Sequence, residues 1–131
     1  MSDPSAVAEA ADRLVDAFAR HDRDAYFACF APDATFLFHT TVGLLPSRDA
    51  YASLWRDWEA EGFRVLGCTT SNRRIDLVTT DIAILTHEVR TRLAGVDDEQ
   101  YERETIVFRQ DADGWLAIHE HLSPAPNEVG A

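Results

Sequence analysis

The stretch YERETIVFRQDADGWLAIHEHLSPAP, residues 101–126, decides how this chain folds. Two alternating runs, Tyr101 to Arg109 and Trp115 to Leu122, flank DADG, and Pro124 and Pro126 end the second. Such alternation marks half-buried strands, and the glycine supplies the left-handed conformation of a tight turn. A three-residue loop, Ala112-Asp113-Gly114, would pair Asp111 with Trp115. Carried along the hairpin, this register sets Ile106 opposite Glu120 and Glu104 opposite Leu122. The two glutamates then become diagonal neighbours, with backbones roughly 7–8 Å apart.

Strand side chains alternate between faces, so parity sorts them. In the last strand Leu116, Ile118, Glu120 and Leu122 form the more apolar, concave set, with Ala117, His119 and His121 opposite. In the preceding strand Glu104, Ile106 and Phe108 face inward, and Arg103, Thr105, Val107 and Arg109 face out. On the strand beginning at Ile82, Ala83, Leu85, His87 and Val89 form the inward set. Glu120 is therefore a carboxyl among aliphatic neighbours. Burial penalises its ionised form, raises its pKa, and makes it a candidate general acid or base near neutral pH.

Upstream, Val7, Ala11, Leu14, Val15 and Phe18 fall three and four apart, which predicts a helix from Ser5 to Arg20. Asp22 is suited to cap a short second helix that Pro32 stops. ATFLFHTTVG reads as a strand of about six residues. From Ser47 the pattern is helical again, with Tyr51, Trp55 and Trp58 on one face and Gly62 closing it. Phe63 to Val78 reads as a strand with bulges at Gly67 and at Ser71-Asn72. The order is three helices with one strand between them, then four antiparallel strands. It predicts an α+β fold in which a strongly curved, mostly antiparallel sheet wraps the helices.

At 131 residues the chain makes one domain, 1–131, with a core over about 5–123 and a small, polar, loosely ordered tail at 124–131. Its 23 acidic and 12 basic residues give a net charge of −11, and every one of those basic residues is Arg. Such a field repels phosphates, which argues against nucleic acid and anionic membrane surfaces as partners. The start lacks a secretory pattern and no apolar run is long enough to span a bilayer, so a cytoplasmic protein is expected. Cys29 and Cys68 have neither metal-type spacing nor a disulfide framework, and are read as buried free thiols.

His119 and His121 could both reach a zinc ion, but no third ligand is clearly placed beside them, so no metal and no cofactor is expected. HEVRT fails the HExxH pattern at its last residue, and neither a nucleophile elbow nor a glycine-rich phosphate loop is present. The convex face with Thr105, Val107, Ala117, His119 and His121 is half apolar, which suggests a homodimer. A cupin barrel also uses H-x-H on a strand, but needs more strands and no long N-terminal helices.

The C-terminal stretch, read with FAPDATF at 30–36 and the helix order, resembles the nuclear transport factor 2-like superfamily in its SnoaL-like branch. It is also similar to the association domain of calcium/calmodulin-dependent protein kinase II. The E-T-x-V, D-G-x-W and I-H-x-H-x-S elements carry the likeness, which covers nearly all of residues 5–126. The resemblance implies a cone-shaped α+β barrel, three helices closing a bent sheet over a pocket, usually in a dimer. Its members include isomerases, cyclases, dehydratases, epoxide hydrolases and non-catalytic modules. Pocket arginines of the kinase domain fall on Val89, Ile106 and Leu122 here, and the catalytic aspartate of the isomerases falls on Phe38.

These readings converge on a small-molecule-binding protein, leaning to a cofactor-independent acid–base enzyme of isomerase, lyase or hydrolase type with a small, mostly apolar substrate. Glu120 would be the acid or base, Glu104 its partner in a coupled titration, and His87 or Tyr26 a donor to a developing oxyanion. Tyr26, Phe38, His39, Trp55, Trp58, Ile106, Phe108 and Leu122 are the expected ligand contacts. The alternative is a non-catalytic ligand-binding or assembly module, whose hollow would be filled by Phe38, Phe108 and Trp55.

Overall fold

The computed structural model describes residues 4–112 and 114–126. Helix α1 (Pro4–Ala19) begins on a proline, whose fixed φ suits the first helical turn, and buries Val7, Ala10, Ala11, Leu14 and Ala17. A left-handed His21 (φ 54°) then turns the chain into α2 (Arg23–Phe27). Asp22 caps that helix as expected, its side chain accepting from the Ala25 N–H at 3.2 Å. The His21 ring lies 5.3 Å from that of Trp55, accepts from the Val65 N–H through Nδ1 at 2.9 Å, and reaches Glu59 through Nε2 at 2.8 Å. One side chain thus ties the first turn to α3 and to the second strand.

Strand β1 (Phe30–Phe38) is longer than anticipated because pairing continues through Phe30. Helix α3 (Arg48–Ala60) is capped by Ser47, which accepts from the Ala50 N–H, and is followed by Gly62 at φ 102°. Four strands follow: β2 (Val65–Leu77), β3 (Ile82–Leu93), β4 (Gln100–Asp111) and β5 (Gly114–Pro124). The sheet order is β1-β5-β4-β3-β2, antiparallel except that β1 runs parallel to β5. The barrel is therefore not closed: β1 and β2 are edges, and the curved sheet is covered by α1 against β2 and α3 against β1.

Both anticipated irregularities of β2 are present, as register shifts between Val65 and Gly67 and between Ser71 and Arg74, with Asn72 left-handed at φ 55°. Such bulges bend a strand and raise its twist, which lets an open sheet wrap helices.

The terminal hairpin departs from the expected pattern twice. Asp111 pairs with Gly114, not Trp115, and pairing steps from Phe108–Ala117 to Val107–His119, which leaves Ile118 as an extra residue. The two one-residue differences cancel. Ile106 still faces Glu120 and Glu104 still faces Leu122. Before the bulge, however, parity is inverted, and Trp115 and Ala117 are buried instead of Leu116 and Ile118. Burying the Trp115 ring, one of the largest apolar surfaces available, is a sufficient physical reason for the break in alternation. Asp113, in the anticipated loop, and 127–131, in the anticipated tail, lie outside the described residues.

Candidate functional site

Three neighbouring strands bring acidic or basic side chains to the concave face. His87 on β3 stands directly opposite Glu104 on β4, with Nε2 and Oε1 2.6 Å apart. Glu104 is in turn hydrogen-bonded to Glu120 on β5. From the helical side, the Tyr26 hydroxyl donates to Glu120 Oε1 at 3.4 Å and lies 3.0 Å from the Tyr51 hydroxyl. All five side chains are buried.

The protons in this network can be assigned from the environment. Burial first, then the charge of Glu104 and its hydrogen bond, hold Glu120 well above the ordinary carboxyl range, against the opposing effects of Tyr26 and His87. Burial also raises Glu104, while the hydrogen bond from Glu120 pulls it back. Like charges at such separation cannot both persist in a low-dielectric interior, so the pair holds one proton, on Glu120, which donates to ionised Glu104. Burial lowers His87 to about 4, so the ring is neutral at pH 7. Its single proton is on Nε2, donated to Glu104, and Nδ1 is buried without a partner. Burial pushes both phenols well above 10, so Tyr51 donates to Tyr26 and Tyr26 donates to Glu120.

A cavity of about 150 Å³ opens beside this cluster. Glu120, Glu104 and Glu102 supply its acidic wall, and Tyr26, Tyr51, Trp55, Trp58, Phe38 and Leu122 much of the remainder. Among the residues expected to touch a ligand, Tyr26, Phe38, Trp55, Trp58 and Leu122 do border the hollow. The others do not. Ile106 and Phe108, both 0% exposed, pack behind the wall. His87 sits behind Glu104, so a direct role as donor to an oxyanion in the cavity is replaced by one exerted through Glu104. His39 turns away from the inward-facing Phe38 and bonds Glu102 Oε2 through Nε2 at 2.6 Å.

Tyr51 and Glu102 were missed. Glu102 shares the parity of Glu104, so the strand period alone could have found it. The Tyr51 ring was visible in the aromatic row, but the destination of its hydroxyl was not. The histidines of the HEH run also separate from the glutamate between them: His119 Nδ1 bonds Thr35 Oγ1 at 2.8 Å and His121 is exposed. Among the described residues no three His, Cys, Asp or Glu side chains converge as a metal site requires. Both cysteines are half-buried free thiols, and burial holds Cys68, which borders the cavity, at about 11.

The model of the SnoaL-like domain family matches residues 7–128. The chain belongs to the SnoaL-like family. In three dimensions this SnoaL-like protein is similar to a ketosteroid isomerase-like protein from Erwinia carotovora atroseptica SCRI1043, with a TM-score of 0.81 at 18% identity over 95% of this chain and 97% of that one. An NTF2-like protein of unknown function from Pseudomonas putida KT2440 gives 0.79 at 18% identity, covering 98% and 91%. Another NTF2-like protein, from Cytophaga hutchinsonii ATCC 33406, gives 0.79 at only 10% identity, covering 95% and 100%. At such identities these likenesses establish the fold. No protein of curated function matches this SnoaL-like chain in sequence. Among the described residues no helix is long and apolar enough to cross a membrane.

Proposed function

We propose that this SnoaL-like protein is a cofactor-independent acid–base catalyst, of isomerase, cyclase, dehydratase or hydrolase type, acting on a small, mostly apolar metabolite. The observation that carries this reading is the Glu104–Glu120 pair, hydrogen-bonded to each other on the wall of an apolar cavity. A carboxyl pair holding one proton can do both halves of a proton shift. The ionised member takes a proton from a substrate atom and the protonated member returns one elsewhere. The Tyr51–Tyr26 hydroxyl chain stabilises charge that develops at Glu120, and His87 holds Glu104 in place from behind. In the non-catalytic reading Phe38, Phe108 and Trp55 would fill the hollow. Here Phe108 packs behind the wall while Phe38 and Trp55 border a cavity.

Exchange of carbon-bound hydrogen for deuterium in small cyclic ketones and their amino-substituted analogues, followed by proton NMR in D₂O, tests the proposal. The protein accelerates exchange, and Glu120→Gln slows it by about 10²–10⁴-fold. An unchanged rate in the variant removes Glu120 from the mechanism.

A homodimer through the convex sheet face belongs to the same proposal, with one change of residues. Ala117 is buried on the inner side, and Leu37 of β1, 38% exposed, lies beside His121 on the outer one. Sedimentation velocity checks it: the wild-type chain runs as a dimer and Leu37→Glu shifts it toward monomer. A monomeric wild type ends the idea.

A further inference from the structure

The charge of the cavity wall selects among small molecules more sharply than its shape does. Three carboxyl side chains, Glu102, Glu104 and Glu120, border the hollow. Among the described residues no Arg borders it, and the chain has no Lys. Neither histidine bonded to these acids borders it: His87 bonds Glu104 and His39 bonds Glu102, each at 2.6 Å. A buried carboxylate is normally matched by a buried cation. Here the Glu104–Glu120 pair has only neutral donors around it: a phenol, an imidazole and its own shared proton. Arg73, whose charge acts on His87, is paired with Asp12 at 2.8 Å.

A second and independent feature is the remainder of the wall. Rings of Phe18, Tyr26, Phe38, Tyr51, Trp55 and Trp58 border the same hollow. Aromatic rings attract organic cations through their quadrupole while accepting an apolar body, and a space of this size suits a ligand on the order of one benzene ring. The two features meet in a single ligand type, an apolar body with a positive end.

We infer that the molecule this cavity takes is a small protonated amine, its ammonium group seated against Glu104 and Glu120 and its apolar body among the aromatic rings. The inference rests on the acid–base reading of the pair and extends it. When the ammonium arrives, the shared proton on Glu120 becomes redundant and leaves. One carboxylate then holds the cation while the other is free to act as base, so the ligand itself arms the site. The titratable groups around the pair are Tyr26 on α2, Tyr51 on α3, Cys68 on β2, His87 on β3 and Glu102 on β4. Of these the phenols and the thiol stay protonated at neutral pH, and His87 stays neutral.

Benzylamine, benzyl alcohol and benzoate have similar shapes and carry charges of +1, 0 and −1. Calorimetric titration of the full chain with each at pH 7 tests the inference. Benzylamine binds at least about ten-fold tighter than benzyl alcohol, benzoate does not bind, and the benzylamine heat varies with the ionisation enthalpy of the buffer because a proton is released. Glu104→Gln and Glu120→Gln each remove that preference while binding of benzyl alcohol persists, which also shows that the variants are folded. Benzyl alcohol binding as tightly as benzylamine overturns the amine assignment and leaves the acid–base cavity standing. A buffer-independent benzylamine heat, or no binding by any of the three, overturns it as well. Loss of deuterium exchange in Glu120→Gln belongs to the catalytic proposal alone, so the two can fail separately.

Discussion

Relative to the wild type, Glu120→Gln gains about 1.4 kcal/mol of stability for each pH unit above about 4.5, until Glu120 ionises in the folded wild type. The folded protein keeps Glu120 protonated well above the 4.5 of an ordinary glutamate, so from that value upward the folded chain binds a proton that the unfolded chain has lost. Its stability must therefore fall as pH rises. His87 acts in the opposite sense over a limited window. Its folded value of about 4 lies below the ordinary 6.5, so between those values the unfolded chain binds the extra proton and stability rises with pH. In the wild type the two slopes oppose one another between about 4.5 and 6.5, but His87 is present in both proteins and its contribution cancels from their difference. Gln reproduces the protonated acid without titrating: its oxygen accepts from Tyr26 and its amide donates to Glu104. Urea unfolding of both proteins at intervals from pH 5 to 9 measures the difference. Parallel curves for wild type and variant would mean that Glu120 is ionised in the folded state at neutral pH.

Trp55→Ala costs about 3–5 kcal/mol, a large fraction of the stability of a single domain. The indole is fully buried, with ring centroids of Phe63 at 4.9 Å, Tyr26 at 5.2 Å, His21 at 5.3 Å and Phe27 at 5.6 Å. These rings come from α2, from the turn after α1 and from the approach to β2, so they cannot all close over a missing side chain. Trp55 also borders the cavity, and removing it adds empty volume to a space that already exists. The unfolding midpoint in urea should drop with little change of slope. A loss under 1 kcal/mol would mean that the helices collapse onto the vacated site.

Much of the fold was legible because it is written at short range. The stripe in α1, the cap at Asp22, the helical start at Ser47 and the two bulges of β2 each depend on residues a few positions apart, and each was read from those positions. Parity in β3 and β4 was read correctly for the same reason: Ala83, Leu85, His87, Glu104, Ile106 and Phe108 all face inward. The hairpin shows how fragile that reasoning is. A loop assumed one residue too long and an unforeseen bulge at Ile118 offset each other, so Glu104 and Glu120 met where expected while Trp115 and Ala117 did not. A bulge responds to what the whole strand must bury, and no local spacing announces it.

Residue order and period alone determined the sequence of helices and strands and the inward direction of Glu104, whereas the bulge at Ile118 decided that Glu120 faces inward to meet it. Tertiary structure decided which groups surround them. The Tyr26 hydroxyl is 94 positions away from the carboxyl it contacts, and His39 is 63 away from Glu102. Placing β1 alongside β5 likewise joined the two ends of the chain in parallel. Neighbouring positions are constrained by backbone geometry, which repeats. Distant ones meet only when an open sheet bends around its helices, and that bend depends on the packing of every side chain between them.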